Sequence, residues 1–267
     1  MKLCCRKRID LTASLQQVGH LVAMMNGLYK FLLFHVLAFL GRNELGSAII
    51  GGRKAPDKSM RYMASVQNKE NQHLCGGFLV CKDLVITVAH CKMTPKDTNV
   101  VLGSHNLKKM VKTTKYVDDI IKHPSYDSST NANDIMFLKL GGQDNNFTEE
   151  QPIGLPTSET NIMENCSVAG WGVTESGKAP VDDLRVVDVS VTSCGVVKRE
   201  RSGLPPNVIC ADKHLLKGDF GGPLVCNGMA VGVASFCKMG DCKSSDIYSD
   251  ISKSLTWIKG VLKQNGC

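Results

Sequence analysis

From residue 49 onward the sequence consists of short β-branched runs separated by Gly, Pro, Asn and Asp, and this pattern restricts the fold more than any other feature. The clearest runs are LVITV (84–88), NVVL (99–102), YVDDII (116–121), IMFLKL (135–140), LRVVDVSV (184–191) and MAVGVAS (229–235). Runs of this length, bounded by turn residues, are typical of strands in an all-β sandwich or barrel. Near the C-terminus, Leu255, Ile258 and Leu262 recur at the spacing of one helix face. The predicted fold class is therefore all-β, with a C-terminal helix over about residues 253–263.

The cysteine content indicates the cellular compartment, and the net charge bears on which partners the chain can bind. The 267 residues include 12 cysteines, a usage typical of an oxidising compartment in which disulfides persist. Because no C-x-x-C pair occurs, a zinc site is the weaker interpretation of these cysteines. No metal and no cofactor are predicted. A chain that is 43% hydrophobic and 21% charged is not disordered as a whole. The net charge of +7 gives no argument for nucleic-acid binding, because much of the basic excess lies in residues 1–48.

Residues 25–48 have the organisation of a signal peptide with a short propeptide. Lys30 precedes an apolar run over residues 31–40, and small residues follow at positions 46–48. The run is shorter than the roughly 20 apolar residues that span a membrane, so no membrane attachment is expected after leader removal. The alternative is a buried helix of the folded domain. We predict that the chain is secreted or stored in secretory granules.

Residues 1–24 do not fit in front of a signal peptide. They carry Cys4, Cys5 and a basic cluster but no apolar core. We predict that they are an extension of the gene model and that translation begins at Met24 or Met25.

Five separate segments carry the motifs of one family. They are IIGG (49–52), TVAHC (87–91), NDIMFLKL (133–140), GWG (170–172) and GDFGGPLVC (218–226). In this order they resemble the chymotrypsin-like (trypsin-family) serine proteases, most closely the granzyme and mast-cell-protease branch. The resemblance covers Ile49 to about Gln264. It implies a protease domain over 49–267 with two six-stranded antiparallel β-barrels, about 49–150 and 151–250, and an active site in the cleft between them.

The resemblance implies that His90 is the general base and Asp134 its buried orienting carboxylate. A base beside a reacting hydroxyl needs a carboxylate that fixes its tautomer, so the two side chains are expected within hydrogen-bond distance. The alternative for His90 is a structural core histidine. The remaining histidines outside the pocket are assigned no role: His20, His35, His73, His105 and His123.

The third member of the catalytic triad is missing. Residues 218–223 are GDFGGP where the family has GDSGGP, so Phe220 occupies the position of the nucleophilic serine. Phenylalanine has no nucleophile and no proton for His90 to accept. Its ring is expected to lie over His90 or over the mouth of the substrate pocket. The backbone N–H groups of Gly218 and Phe220 still match the oxyanion hole, which needs no side chain.

The sequence therefore predicts an inactive, secreted serine-protease homologue that acts by binding. Its expected partners are protein or peptide ligands, such as the inhibitors or substrates of active relatives, and it is expected to be a monomer that does not bind nucleic acid. The alternative is an active serine endopeptidase in which residue 220 is really Ser. A purely structural or carrier role has no support in the sequence.

The activation pair of the family is present. The resemblance implies that the amino group freed at Ile49 pairs with the carboxylate of Asp219, and a buried carboxylate needs such a partner. Ala48, not Lys or Arg, precedes the cleavage point, so trypsin-like activation is not expected. Two routes stay open: leader removal up to Ala48, or cleavage after Gly46 followed by trimming of a dipeptide.

By the resemblance, five residues belong to the substrate pocket: His214, Ser235, Phe236, Cys237 and Asp246. His214 stands where trypsin-like members carry Asp, and Ser235 matches the serine that binds the substrate backbone. Phe236 and Cys237 replace the usual Trp and Gly, and Cys237 is expected to narrow the pocket mouth. Asp246 lies where small residues are usual, and we expect it to pair with His214.

The resemblance also implies three disulfides, Cys75–Cys91, Cys166–Cys226 and Cys194–Cys210. A fourth, between Cys237 and Cys242, depends on geometry. Cys81 is predicted to be a buried, inert thiol, and Cys267 to be available for an intermolecular bond. Asn146 and Asn165 match the N-glycosylation pattern.

Overall fold

The computed structural model describes residues 49, 51–109, 113–142, 151–159, 166–173, 180–195, 204–212, 214–215, 217–237 and 245–267. All of them belong to one compact unit, residues 46–267. The predictions for the leader, for both glycosylation sites and for a bond between Cys237 and Cys242 fall outside the residues or side chains that are described. Within the described residues, no helix is long and apolar enough to cross a membrane.

The described residues form strands throughout and a helix at the C-terminus. The strands are β1 (Arg53–Lys54), β2 (Met63–Asn68), β3 (His73–Cys81), β4 (Leu84–Thr87), β5 (Thr98–Leu102), β6 (Thr113–Lys122), β7 (Met136–Leu140), β8 (Cys166–Gly170), β9 (Arg185–Val189), β10 (Val191–Thr192), β11 (Val208–Asp212), β12 (Pro223–Cys226), β13 (Met229–Cys237) and β14 (Ser245–Asp250). A 3-10 turn (Ile251–Ser254) leads into helix α1 (Leu255–Gln264). Each β-branched run predicted as a strand overlaps one of these strands, and the predicted helix is found.

The first half is a closed antiparallel barrel in the order β2-β3-β4-β7-β6-β5. Closure removes the free edges that six short strands would otherwise expose. Phe78, Ile86 and Phe137 lie opposite one another on β3, β4 and β7 and are completely buried. This barrel has the predicted six strands.

The second half is an eight-stranded sheet in the order β1-β9-β8-β12-β13-β14-β11-β10. Its first and last strands, β1 and β10, have two residues each, so six longer strands form its body. Only Ser190 separates β9 from β10 in the chain, although these strands lie near opposite ends of the strand order. The sheet must therefore curve until its two ends approach each other. The chain itself joins these ends at Ser190, and no hydrogen-bonded pairing of β1 or β9 with β10 is found among the described residues.

The C-terminal helix packs on the first barrel although it follows the second sheet in the chain. Ile258 and Val261 belong to the same hydrophobic cluster as the barrel interior. The ring of Trp257 lies 5.3 Å from that of Phe137 and 4.7 Å from that of His123, measured between centroids.

This docking overturns the prediction for two cysteines. Cys81, at the end of β3, forms a disulfide with Cys267, the last residue of the chain. Cys81 is therefore not an inert thiol, and Cys267 is not available for an intermolecular bond. The physical reason is that α1 ends beside β3, so residues 186 positions apart have Cα atoms 6.2 Å from each other. The other three predicted disulfides, Cys75–Cys91, Cys166–Cys226 and Cys194–Cys210, are confirmed.

Candidate active site

The pairing of β4 with β7 brings His90 and Asp134 together. Thr87, the last residue of β4, lies opposite Met136, the first residue of β7. Because these strands are antiparallel, the residues just after β4 and just before β7 meet at the same end of the barrel. His90 Nδ1 lies 2.6 Å from Asp134 Oδ2, and the His90 backbone N–H donates to Asp134 Oδ1 at 2.9 Å.

Asp134 is completely buried, and its carboxylate is held from both halves of the molecule. Ser235 Oγ donates to Asp134 Oδ2 at 2.5 Å, and Ser249 Oγ donates to the Asp134 backbone carbonyl at 3.0 Å. Ser235 reaches inward because it is the extra residue of a β-bulge between β13 and β14, and bulges redirect a side chain in this way. Ser235, predicted to contact substrate backbone, thus contributes its hydroxyl to the His90–Asp134 pair.

Phe220 packs against the imidazole of His90. The ring centroids are 5.9 Å apart with an interplanar angle of 68°, the edge-to-face geometry favoured by aromatic pairs. Phe220 is half-buried and packs against the hydrophobic cluster that the first barrel shares with α1. A carbon ring without a hydroxyl or thiol therefore contacts the imidazole at this position.

Backbone hydrogen bonds fix the loop around Phe220. Its carbonyl accepts from the Gly76 N–H at 2.8 Å, and the Gly221 N–H donates to the Ala234 carbonyl at 2.7 Å. Gly221 has a φ of +93° and its Cβ position would lie 2.2 Å from the Gly76 carbonyl oxygen, so a larger residue does not fit. Neither the Gly218 nor the Phe220 backbone N–H donates to another described residue. Both groups match the oxyanion hole that the resemblance implies, and this role stays a prediction.

His73, which the sequence left without a role, supports this loop. Its Nε2 donates to the Gly218 carbonyl at 2.8 Å, so its Nδ1 accepts from the Ser65 hydroxyl, also at 2.8 Å. Burial lowers the pKa of His73 to about 4, which keeps the ring neutral in this tautomer at neutral pH. No local sequence pattern predicts this contact, because His73 and Gly218 are 145 residues apart.

The GWG motif builds the space around Asp219. The carboxylate of Asp219 is completely buried, and its Oδ1 accepts from the Gly172 N–H at 2.8 Å. A Cβ at Gly170 would lie 2.1 Å from that same oxygen, so the position requires glycine. Ile49 is completely buried in the hydrophobic cluster of the second sheet. The pairing of its freed amino group with Asp219 stays a prediction.

The pocket residues are joined through backbone groups. Asp246 is completely buried, and its Oδ2 accepts from the backbone N–H groups of His214 and Leu215 at 2.7 and 2.9 Å. Asp246 thus binds the backbone of His214, and the expected pairing of the two side chains stays a prediction. Phe236 is half-buried, and the side chain of Cys237 lies outside the described structure. Burial raises the pKa of Tyr248 well above its usual range, and the nearby Asp246 and Asp219 carboxylates raise it further.

Taken together, the site holds an imidazole oriented by a buried carboxylate, a loop fixed by backbone hydrogen bonds, and a phenylalanine ring at residue 220. In a worked serine protease, removal of a triad member leaves roughly 10³–10⁴-fold catalysis over water, from the oxyanion donors and substrate binding. Within the described residues, no three His, Cys, Asp or Glu side chains are grouped to hold a metal ion.

Comparisons with known proteins agree with this geometry. The Trypsin family model matches residues 49–258. Duodenase-1 of Bos taurus is 38% identical over 247 residues, which cover 87% of this chain and 96% of the relative. Granzyme B(G,H) of Mus musculus is 34% identical over 249 residues, covering 88% and 98%. Among solved structures, human heparin binding protein has a TM-score of 0.69 at 32% identity, covering 80% of this chain and 96% of that one.

Proposed function

Because this chain belongs to the trypsin family, we propose that it is a granzyme-like homologue that lacks proteolytic activity and acts by binding protein or peptide ligands. The observation that carries the proposal is the edge-to-face contact of Phe220 with His90. A covalent acyl-enzyme needs a hydroxyl or thiol within reach of the base, and residue 220 offers neither.

The surroundings of Phe220 support a specific defect instead of a general loss of the fold. His90 and Asp134 keep a 2.6 Å contact, and the loop carrying Gly218 is held by His73. A ligand-binding surface of the family type is thus still organised. One structural neighbour is itself named for a ligand, heparin, which is consistent with a binding role for a chain of this fold.

We also infer that the chain enters the secretory pathway and is a monomer. Four disulfides are formed among the described residues, and such bonds persist in oxidising compartments. Mast cell protease 3 of Ovis aries, 36% identical, bears the name of a cell type, and a granule location for this chain follows as a proposal. Monomeric behaviour is supported by Cys267, because its sulfur is bonded within the chain.

The decisive experiment restores the hydroxyl. Phe220→Ser, in a chain processed to begin at Ile49, is expected to be labelled by a fluorophosphonate probe, because His90 keeps its contact with Asp134 and the backbone N–H groups of residues 218 and 220 match the family's oxyanion hole. Peptide turnover is expected to stay slow, because Phe236 and Cys237 alter the region where substrate backbone would lie and a misplacement of about 1 Å can cost 10²-fold. The unmodified protein should be silent in both assays.

Phe220→Ala is the matched control, because it removes the ring without adding a nucleophile. It should remain unlabelled, as should Phe220→Ser combined with His90→Ala. Labelling of the unmodified protein would refute the inactive assignment and favour the endopeptidase alternative, which sequencing of codon 220 tests directly. Failure of Phe220→Ser to label would refute the inference that the missing hydroxyl is the main defect.

A further inference from the structure

A hollow lies beside the first barrel, between the loop that precedes β2 and the loop that follows β5. Its volume is about 350 Å³, within the roughly 300–1,000 Å³ that small-molecule sites occupy. We call it the Arg61 pocket. Neither Phe220 nor His90 belongs to its described lining, so the pocket is separate from the candidate active site. Four basic and two acidic side chains line it: Lys54, Lys58, Arg61 and Lys109, with Asp57 and Asp183.

The charges in the Arg61 pocket are not balanced. Lys54 forms an ion pair with Asp183 at 3.3 Å. Among the described residues, no acidic side chain forms an ion pair with Lys58, Arg61 or Lys109. Arg61 is half-buried, so its guanidinium is partly withdrawn from bulk water without a counter-ion. Four basic and two acidic groups give the lining a formal net charge of +2 with histidine neutral.

Hydrogen bonds fix the walls of the Arg61 pocket. His105 Nε2 donates to the Ser59 carbonyl at 2.6 Å, and this contact joins the loop before β2 to the loop after β5. Asn106 Oδ1 accepts from the Lys109 backbone N–H at 3.1 Å, and Asn106 Nδ2 donates to Asp183 Oδ1 at 2.8 Å. The walls are therefore organised before a ligand arrives, which lowers the entropic cost of binding.

The backbone is strained where the loop before β2 lines the Arg61 pocket. Lys58 and Met60 have φ angles of +62° and +48°, in the left-handed region that residues other than glycine rarely adopt. Such conformations persist only where the surrounding structure holds them, and they cluster at ligand-binding sites. Both residues line the pocket, so the strain and the uncompensated positive charges occur in the same segment.

We propose that the Arg61 pocket binds a compact phosphate ester that carries two or more phosphate groups. The guanidinium of Arg61 donates two parallel hydrogen bonds to one phosphate group, and the ammonium groups of Lys58 and Lys109 pair with the others. A phosphate monoester carries a charge of about −1.5 to −2 near pH 7, which complements the lining more closely than a single carboxylate does. The basic groups share one hollow and form no extended row, which favours a compact ligand over a sulfated polysaccharide or an acidic peptide.

This inference goes beyond the proposed function, because it assigns a second site with a different class of ligand. The two stand on different residues. The Arg61 pocket depends on Arg61, Lys58 and Lys109, whereas inactivity depends on Phe220. A negative result for phosphate binding therefore leaves the labelling result unchanged, and the reverse also holds.

The test uses the full chain and inositol 1,4,5-trisphosphate, with binding measured by isothermal titration calorimetry. We expect saturable binding that weakens with rising salt, because exposed charges are screened. Arg61→Gln should weaken binding about tenfold, through loss of a charge-assisted, bidentate contact. Arg61→Lys should weaken it about threefold, because lysine keeps the positive charge but not the planar fork of donors.

Variants with opposite expected effects distinguish ligand binding from damage to the fold. Lys58→Gln combined with Lys109→Gln should weaken binding about tenfold. Asp57→Asn should strengthen it about twofold, because it removes an acidic charge from the exposed rim. Lys263→Gln is the matched control at an exposed lysine of α1 outside the pocket, and it should change binding less than twofold. The gain expected for Asp57→Asn keeps the test valid even where an Arg61 variant fails to fold.

A second arm identifies the source of the phosphate ester. It uses phosphatidylcholine vesicles with and without phosphatidylinositol 4,5-bisphosphate, in a sedimentation assay. Binding of the soluble trisphosphate alone assigns a free phosphate ester, and binding of the lipid vesicles that Arg61→Gln abolishes assigns a lipid headgroup. Absence of binding in both arms, or equal binding by Arg61→Gln, overturns the proposal. Tighter binding of a heparin hexasaccharide with the same dependence on Arg61 would identify a polysaccharide site, and would also overturn it.

Discussion

The Cys81–Cys267 disulfide is predicted to be the largest single covalent contribution to stability. It joins the end of β3 to the residue that follows α1, and so closes most of the protease domain into one loop. The double variant Cys81→Ala with Cys267→Ala removes this bridge. Cys81 is half-buried and Cys267 exposed, so alanine at these positions leaves little cavity and no buried hydroxyl. The loss of stability should therefore come mainly from the higher conformational entropy of the unfolded chain without the bridge.

The size follows from loop length. A bridge that closes n residues lowers the entropy of the unfolded chain by about 2.1 + 1.5R ln n cal/mol/K. The 186-residue separation of Cys81 and Cys267 gives about 5 kcal/mol at 25 °C, and the 16-residue separation of Cys194 and Cys210 gives about 3 kcal/mol. The Cys166–Cys226 bridge shortens the larger loop by 60 residues, which changes the result by less than about 0.5 kcal/mol because the dependence is logarithmic.

Urea unfolding followed by tryptophan fluorescence provides the assay. Trp257 lies in α1 and Trp171 in the GWG motif, so the two residues report on distant parts of the structure. The alanine pair at 81 and 267 should lose about 2 kcal/mol more than the alanine pair at 194 and 210. Its m-value should also rise, because the unfolded chain exposes more surface without the bridge. A loss under about 1 kcal/mol, or one smaller than that of the short loop, would refute the entropic reasoning.

Two further predictions concern His73 and the glycine next to Phe220. Burial lowers the pKa of His73 from 6.5 to about 4. As the pH falls, this histidine therefore binds a proton in the unfolded state before it does so in the folded state. The free energy of unfolding should fall by about 3 kcal/mol between pH 6.5 and 4. Urea unfolding across this range should show a fall that is smaller by about that amount in His73→Gln, where half-buried His123, whose pKa is also lowered by burial, still contributes; an equal slope in both proteins contradicts the assignment. Gly221→Ala should cost about 3 kcal/mol or more, because of the 2.2 Å approach to the Gly76 carbonyl and the positive φ. Gly260→Ala, in the interior of α1 with open space around it, should instead stabilise by up to about 1 kcal/mol, and thermal melts of the two variants should move in opposite directions.

Local patterns were sufficient to predict much of the fold. A run such as IMFLKL is apolar on both faces because both faces of its strand, β7, are buried, as the consecutive, completely buried residues Met136, Phe137 and Leu138 show. Leu255, Ile258 and Leu262 predicted the helix correctly because its periodicity is local. The motif order also placed His90 and Asp134, since the pairing of two strands brings their ends together.

Long-range contacts were not accessible in the same way. Cys81 and Cys267 carry no local mark of being partners, since their proximity depends on the C-terminal helix returning to the first barrel. His73 likewise has the appearance of an ordinary strand residue until the loop of Gly218 folds against it. The closure of the second sheet depends on Ser190, a single residue between β9 and β10, and no periodicity in the sequence distinguishes that break from an ordinary strand end.

The presence of His90 and Asp134 beside Phe220 has a structural explanation that does not require catalysis. Asp134 is completely buried and links the two halves, because Ser235 of β13 donates to its carboxylate and Ser249 of β14 donates to its backbone carbonyl. Removing one partner of a buried charged hydrogen bond leaves the other unsatisfied, at a cost of about 1–3 kcal/mol or more. Asp134 therefore stabilises the contact between the barrel and the second sheet, and His90 binds the same carboxylate, whether or not residue 220 can react. Phe220, by contrast, is half-buried and can differ from serine without breaking that contact, so an intact base and carboxylate are compatible with a protein that binds and does not cleave.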